Sequence, residues 1–105
     1  MSKEENRFHA VGEAIDQSER GQLFGKPCYK IGGKAFICFF EEEMVFKLSG
    51  DIHTQALDLT GSQLFDPSKK NRPMKEWVQV SYIHEEKWLN FAQKAALYVS
   101  SMLKK

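Results

Sequence analysis

The chain has 105 residues, of which 42% are hydrophobic and 28% charged, and its formal net charge is +1. This length suffices for one domain around a single core, and the composition is that of an ordinary globular protein. The small net charge argues against a global field for nucleic acid or anionic membrane, and no apolar run is long enough to span a bilayer. The first ten residues lack the apolar stretch of a secretory signal, so we expect one cytoplasmic domain over residues 1–105 with no membrane partner.

A first amphipathic helix is predicted near the N-terminus. Phe8, Val11 and Ile15 recur at helical spacing, whereas acidic residues occupy other positions of the same stretch. Gly21 is expected to end this helix.

A β-hairpin is predicted next. Residues 27–31 and 34–40 have the composition of strands, and Gly32-Gly33 between them supplies the positive φ angles of a two-residue turn. Strict alternation from that turn places Cys28 and Cys38 on opposite faces of the hairpin. We therefore predict two reduced thiols and no disulfide.

A third strand is predicted around residues 44–48, after an acidic turn. If Glu42-Glu43 forms the turn, Phe39 pairs with Phe46, and a longer turn would slip this pairing. One face then collects the core residues Cys28, Ala35, Ile37, Phe39, Met44, Phe46 and Leu48. The opposite face collects Tyr29, Phe36, Cys38, Phe40, Val45 and Lys47.

The second half of the chain adds a short helix between Ser49 and Gly61, a weak strand at 63–65 and a loop at 66–73. A clearly alternating strand over 76–82 and a long helix from His84 complete the chain. The element order is helix, three strands, helix, two strands, helix. This order predicts an α+β two-layer domain with a mostly antiparallel sheet and the helices packed mainly on one face.

Several stretches carry a resemblance to a known family: "LFGKPCYKIGGKAFICFFEEEMVFKLS", "TGSQLFDP" and "NRPMKEWVQV", followed by an amphipathic helix. Together they resemble the TfoX/Sxy N-terminal-domain family and the related YjbR-like proteins, over nearly the whole chain. The resemblance implies a sheet order of 1-2-5-4-3 for the five predicted strands. It also implies a regulator or DNA-associated protein, and it supplies no catalytic residues.

The potentially reactive side chains form no catalytic or metal-binding pattern. His9, His53 and His84 are scattered, and the two cysteines lack the Cys-x₂-Cys spacing of a zinc site. A cysteine nucleophile would need a histidine brought close by the fold. We therefore expect no enzymatic activity, no metal and no cofactor.

The main candidate binding surface is the sheet face that no helix is expected to cover. Contiguous apolar and aromatic patches usually mark interfaces. The candidate residues for binding a protein partner or a second copy of the chain are Tyr29, Phe36, Phe40, Val45 and Trp77. The alternative is that the N-terminal segment around Phe8, or the loop at 66–73, folds across this face and buries it within one monomer.

A second candidate surface is a basic loop. Lys69, Lys70, Arg72 and Lys75 lie beside Trp77, and basic groups next to an aromatic ring are typical of single-stranded nucleic-acid binding. A nucleic-acid-associated regulator is therefore the alternative function. The other interpretation is a solvated loop whose charges keep a sheet edge soluble.

Overall fold

The structure, a computed structural model, describes residues 2–23, 25–67 and 73–103. Its elements are α1 (Lys3–Ala14), β1 (Glu19–Leu23), β2 (Lys26–Ile31), β3 (Lys34–Phe40), β4 (Glu43–Lys47), α2 (Gly50–Leu57), β5 (Gln63–Phe65), β6 (Met74–Val80) and α3 (Glu85–Leu103). One turn of 3₁₀-helix, Tyr82–His84, precedes α3. All strand pairs are antiparallel in one six-stranded sheet. The α+β class is therefore confirmed.

The first helix is shorter than predicted, and an additional strand follows it. Helix α1 ends at Ala14, not near Gly21, because Ile15 already has an extended backbone and Gln17 has a left-handed φ of 66°. Residues 19–23 then form β1, which pairs with β2 at one edge of the sheet. Four strands, not three, therefore lie between α1 and α2.

The strand order differs from the order that the family resemblance implies. The sheet order is β1-β2-β3-β4-β6-β5, which corresponds to 1-2-3-5-4 for the five predicted strands. The implied order 1-2-5-4-3 is wrong because β3 and β4 form a tight hairpin, so β6 cannot lie between them.

The turn of this hairpin lies one residue earlier than predicted. Glu41 and Glu42, with φ of 51° and 66°, occupy the two turn positions that need left-handed backbone. Phe39 consequently pairs with Met44 and not with Phe46. Because the partner changes by two residues, this shift leaves Phe39, Phe40 and the residues of β4 on their predicted faces.

A β-bulge in β3 interrupts the alternation of the first hairpin. Tyr29 pairs with Ile37, but the next residue, Lys30, pairs with Ala35, so Phe36 has no partner on β2. Phe36 and Ile37 are both fully buried in the core between the sheet and the helices. The bulge therefore turns two consecutive side chains to the same face.

The bulge overturns several predictions made from strict alternation. Cys28 and Cys38 pair directly and belong to one cluster, not to opposite faces, although both thiols are free as predicted. Tyr29 and Phe36 belong to the helix-side core and not to the aromatic face. Cys28 and Ala35, predicted for that core, lie on the opposite side of the sheet.

Two hydrophobic clusters occupy the two faces of the sheet. The larger, helix-side core contains all the buried apolar residues of the three helices. The smaller one, called the second cluster below, consists of Cys28, Cys38, Phe40, Val45, Phe65 and Trp77, with Leu23, Ala35 and Met74 at its rim. Among the residues described, every member of the second cluster comes from the sheet.

The sheet covers part of its own second face. The rings of Phe40 on β3 and Phe65 on β5 are 5.2 Å apart, although β4 and β6 lie between these strands. Three strand spacings would separate them by about 14 Å in a flat sheet. The sheet must therefore curl, and the irregular pairing at Leu64 and Phe65 helps to direct the Phe65 ring over the second face.

Candidate functional site

The residues predicted to form an exposed aromatic face are buried. Phe40, Val45 and Trp77 lie together in the second cluster, with exposed fractions of 9%, 0% and 6%. Tyr29 and Phe36 are buried on the other side of the sheet. The structure thus groups and buries three of the five predicted residues. The N-terminal segment does not cover them, because Phe8 lies in the helix-side core, and most of the 66–73 loop lies outside the described residues.

Lysine side chains stand over the rings of the second cluster. The Nζ atoms of Lys26 and Lys47 lie 5.8 Å from the ring centroids of Phe40 and Trp77, respectively. This is within the distance at which an ammonium group is attracted by an aromatic ring. Among the described residues, no carboxylate forms an ion pair with either lysine.

Two other charged side chains of this face have neighbours of their own. Lys30 is the register partner of Glu19 across the β1–β2 pair. Glu43 accepts a hydrogen bond of 2.8 Å from the buried side chain of Gln79. Lys26 and Lys47 differ from these groups because each lies over an aromatic ring and forms no ion pair among the described residues.

The predicted basic loop is described only in part. Lys75 is exposed, and its backbone carbonyl accepts a hydrogen bond of 2.7 Å from Nε2 of His53. Lys69, Lys70 and Arg72 lie outside the described residues. The nucleic-acid surface therefore stays a prediction.

A polar cluster around the Tyr29 hydroxyl was missed by the sequence analysis. The hydroxyl oxygen lies 2.9 Å from His9 Nδ1, 3.1 Å from Arg20 Nε and 3.3 Å from Glu13 Oε2. Arg20 also donates to Glu13 at 3.1 Å, and His9 Nε2 lies 3.3 Å from Glu5 Oε2. The cluster therefore ties together α1, β1 and β2.

The spacing of three polar residues on α1 predicts half of this cluster. Glu5, His9 and Glu13 are spaced by four residues and so lie along one stripe of α1. Their partners, Arg20 and Tyr29, come from β1, which was not predicted, and from a side of β2 that was assigned to the other face. The complete cluster could not be recognised without the β1–β2 pairing.

The directions of the hydrogen bonds in this cluster are limited by the single proton that a phenol hydroxyl can donate. The Tyr29 hydroxyl has one proton to donate, so donation to Glu13 requires that Arg20 and His9 both donate to it. If Nδ1 of His9 is instead the acceptor, the Tyr29 proton goes to His9 and not to Glu13.

The cluster is built to hold a neutral tyrosine. The Tyr29 side chain is only 1% exposed, and burial raises the pKa of its hydroxyl, an effect that the hydrogen bond from Arg20 partly opposes. A phenol that keeps its proton is a poor nucleophile or base. Tyr29 therefore anchors α1 to the sheet rather than performing chemistry.

Two open cavities flank Arg20. One, of about 500 Å³, is lined by Glu13, Tyr29 and the segment 14–18. The other, of about 300 Å³, is lined by residues that include His9 and Cys28. Cys28, a residue of the second cluster, thus lines the second cavity, although its side chain is only 1% exposed.

The cysteines lack the surroundings of a catalytic nucleophile. Burial raises the pKa of both thiols, so the reactive thiolate is disfavoured. His9 lines the same cavity as Cys28, but its two nitrogens are bonded to Tyr29 and Glu5. His9 is therefore not positioned as a base for Cys28.

Two features are absent from the described residues, 2–23, 25–67 and 73–103. Within these ranges, no group of three histidine, cysteine, aspartate or glutamate side chains converges where it could hold a metal ion. No helix there combines the length and the apolar character needed to cross a membrane.

Comparisons with known proteins return no relatives. The chain matches no model of a protein family. It matches no curated protein, and no solved structure resembles it. The resemblance to the TfoX N-terminal domains therefore stays a prediction, and the function must be inferred from the geometry.

Proposed function

We propose that this chain is a non-enzymatic interaction domain that binds an acidic segment of a partner protein on the sheet face formed by the second cluster. The observation that carries the proposal is the placement of Lys26 and Lys47 over the rings of Phe40 and Trp77 without a carboxylate partner among the described residues. A partner carboxylate would complete these two sites. Charge pairs of this kind contribute orientation and specificity to a protein interface.

The same observation favours an acidic partner over a second copy of this chain. If two copies docked through this face about a two-fold axis, the same surface would meet itself, so the positive charges of Lys26 and Lys47 would be brought to a surface that carries the same two charges. Like charges placed opposite each other disfavour association. A regulatory role of the TfoX N-terminal type is compatible with binding of this kind.

Lys75 supports the nucleic-acid alternative, because it is exposed two residues before Trp77. The rings of Phe40 and Trp77 nevertheless offer little surface for stacking, since less than a tenth of each side chain is exposed. Base stacking supplies much of the affinity for single strands. We therefore favour an acidic protein segment and treat nucleic acid as the competing outcome.

The test uses a fluorescein-labelled polyglutamate peptide and a single-stranded oligo-dT of equal charge, measured by fluorescence anisotropy. We expect the peptide to bind more tightly than the oligonucleotide at equal salt. The double variant Lys26→Glu, Lys47→Glu should weaken peptide binding at least about tenfold, because two close charge pairs of about 1 kcal/mol each are lost. Tighter binding of the oligonucleotide would favour the nucleic-acid function.

The matched control is Lys87→Glu, Lys94→Glu, which makes the same change of charge at exposed positions of α3. This control should leave peptide binding nearly unchanged. Equal weakening by both double variants would show that only net charge matters and would refute the proposed face. Unchanged tryptophan fluorescence would establish that the variants are folded.

A further inference from the structure

Cys28 and Cys38 are placed directly opposite each other by the β-bulge. They are register partners on β2 and β3, and each is 1% exposed in the second cluster. Counted from the Gly32-Gly33 turn, Ile31–Lys34 is the first pair and Cys28–Cys38 is the fourth. Antiparallel pairs alternate between hydrogen-bonded and non-hydrogen-bonded, so the cysteine pair is of the second kind.

This position suits a covalent bond between the two strands. In a non-hydrogen-bonded pair the two Cα atoms are about 4.5 Å apart, and the side chains are at their closest. A disulfide tolerates Cα separations of roughly 4.4–6.8 Å. The bond can therefore form between Cys28 and Cys38 without a movement of the backbone.

The two thiols differ in access. Cys28 lines the cavity of about 300 Å³ beside Arg20, and Cys38 does not. Burial raises the pKa of both thiols, but the charge of Lys30 acts in the opposite direction on Cys28 alone. Of the two cysteines, Cys28 is thus the one that borders a cavity and the one whose thiolate a nearby lysine favours.

We propose that Cys28 and Cys38 are an oxidative modification site, at which a small hydroperoxide that enters the cavity converts the pair into a reversible cross-strand disulfide. The Cys28 thiolate attacks one peroxide oxygen, the O–O bond breaks, and hydrogen peroxide yields a sulfenic acid and one water. The Cys38 sulfur then attacks the Cys28 sulfur, the S–O bond breaks, and the departing hydroxide leaves as water with the Cys38 proton. Two thiols lose two electrons in all, and a dithiol reductant reverses the change.

The site is independent of the proposed partner binding. Cys28 lines the cavity beside Arg20, whereas the proposed partner contacts Lys26 and Lys47. Failure of one proposal therefore leaves the other in place.

The experiment treats the purified full chain with hydrogen peroxide, blocks free thiols with N-ethylmaleimide in denaturant and measures the intact mass. We expect a monomer lighter by two hydrogen atoms that takes up no maleimide, and dithiothreitol should restore two reactive thiols. Uptake of two maleimides by wild type, while glutathione in the same tube is oxidised, would overturn the proposal. A disulfide that forms only after unfolding in urea, or only between chains, would do the same.

Single variants assign the order of the two steps. Under the same treatment Cys38→Ser should leave a sulfenic acid on Cys28 that dimedone traps, whereas Cys28→Ser should protect Cys38 from oxidation. Equal trapping in both variants would contradict access through the cavity. The oxidised wild type should also melt at a higher temperature than the reduced form, and a lower one would show that the native pairing cannot accommodate the bond.

Discussion

The contact between α1 and Tyr29 gives the sharpest test of the packing, through the substitution Gly12→Ala. Gly12 is a buried helical residue, and a Cβ atom built on it would lie 2.7 Å from Cγ of Tyr29 and closer still to Cδ1 and Cε1. Real Cβ atoms essentially never approach other atoms so closely. The Tyr29 ring has little freedom to withdraw, because Phe8 packs against its edge and three polar groups hold its hydroxyl.

The expected change in stability is opposite in sign to the usual effect of a glycine-to-alanine substitution in a helix. Replacing glycine by alanine inside a helix ordinarily stabilises it by about 1 kcal/mol. Inserting a methyl group into a tightly packed core instead costs about 1–3 kcal/mol, and a contact this short lies at the upper end or beyond. We therefore expect Gly12→Ala to lower the free energy of unfolding by about 2 kcal/mol or more after the helical gain is subtracted.

Urea unfolding followed by tryptophan fluorescence measures this change, since Trp77 and Trp88 are both buried. With a slope of about 1–1.5 kcal/mol per molar urea for so small a domain, the midpoint should fall by roughly 1 M or more. The control Ala10→Gly, at an exposed position of the same helix, should cost about 1 kcal/mol and so reports the helical preference alone.

Making Gly12→Ala in a Tyr29→Leu variant tests whether the cost comes from the contact with the Tyr29 ring. In Tyr29→Leu the ring is absent, so adding Gly12→Ala should become neutral or stabilising. A stabilising Gly12→Ala in the wild-type background would refute the close packing of α1 on Tyr29. Equal effects in the two backgrounds would refute the assignment of the cost to the ring.

Three further changes test other parts of the structure. Phe36→Ala should cost about 3–5 kcal/mol in urea unfolding, because the ring is fully buried at the bulge; a cost below about 0.5 kcal/mol would instead fit an exposed aromatic face. Glu42→Gly should raise the melting temperature slightly, because glycine adopts the φ of 66° at this position without strain, a gain of up to about 1 kcal/mol. The hydrogen bond that Glu42 accepts from Ser2 is exposed, so its loss should cost little. A clear fall in the melting temperature would contradict the turn. Burial raises the pKa of Tyr29 and of both cysteines, so the folded chain holds these protons more tightly than the unfolded chain does. The free energy of unfolding should therefore be at its full value below about pH 8.5 and should fall as the pH rises above it. Urea unfolding between pH 7 and 11 checks this, and a Tyr29→Phe variant that declines as steeply as wild type above pH 10 would refute the contribution of Tyr29.

Features that depend on local preference and on regular alternation could be predicted from the amino-acid sequence. The α+β class and the Gly32-Gly33 turn followed from backbone requirements that few residues satisfy. The placement of Val78 in the helix-side core and of Trp77 in the second cluster followed from the strict alternation of β6. The grouping of Phe40 and Val45 with Trp77 could be predicted in the same way.

Only the tertiary structure decided how the strands are ordered and which residues of "AFICFF" face the helices. A run that is apolar at every position contains no periodic signal, so nothing in it marks Phe36 as the residue that forms the bulge. Strand order, the pairing of β1 and the curl that brings Phe65 to Phe40 depend on contacts between distant segments. For the same reason the direct pairing of Cys28 with Cys38, and the cover over the aromatic residues, became visible only when the whole sheet was assembled.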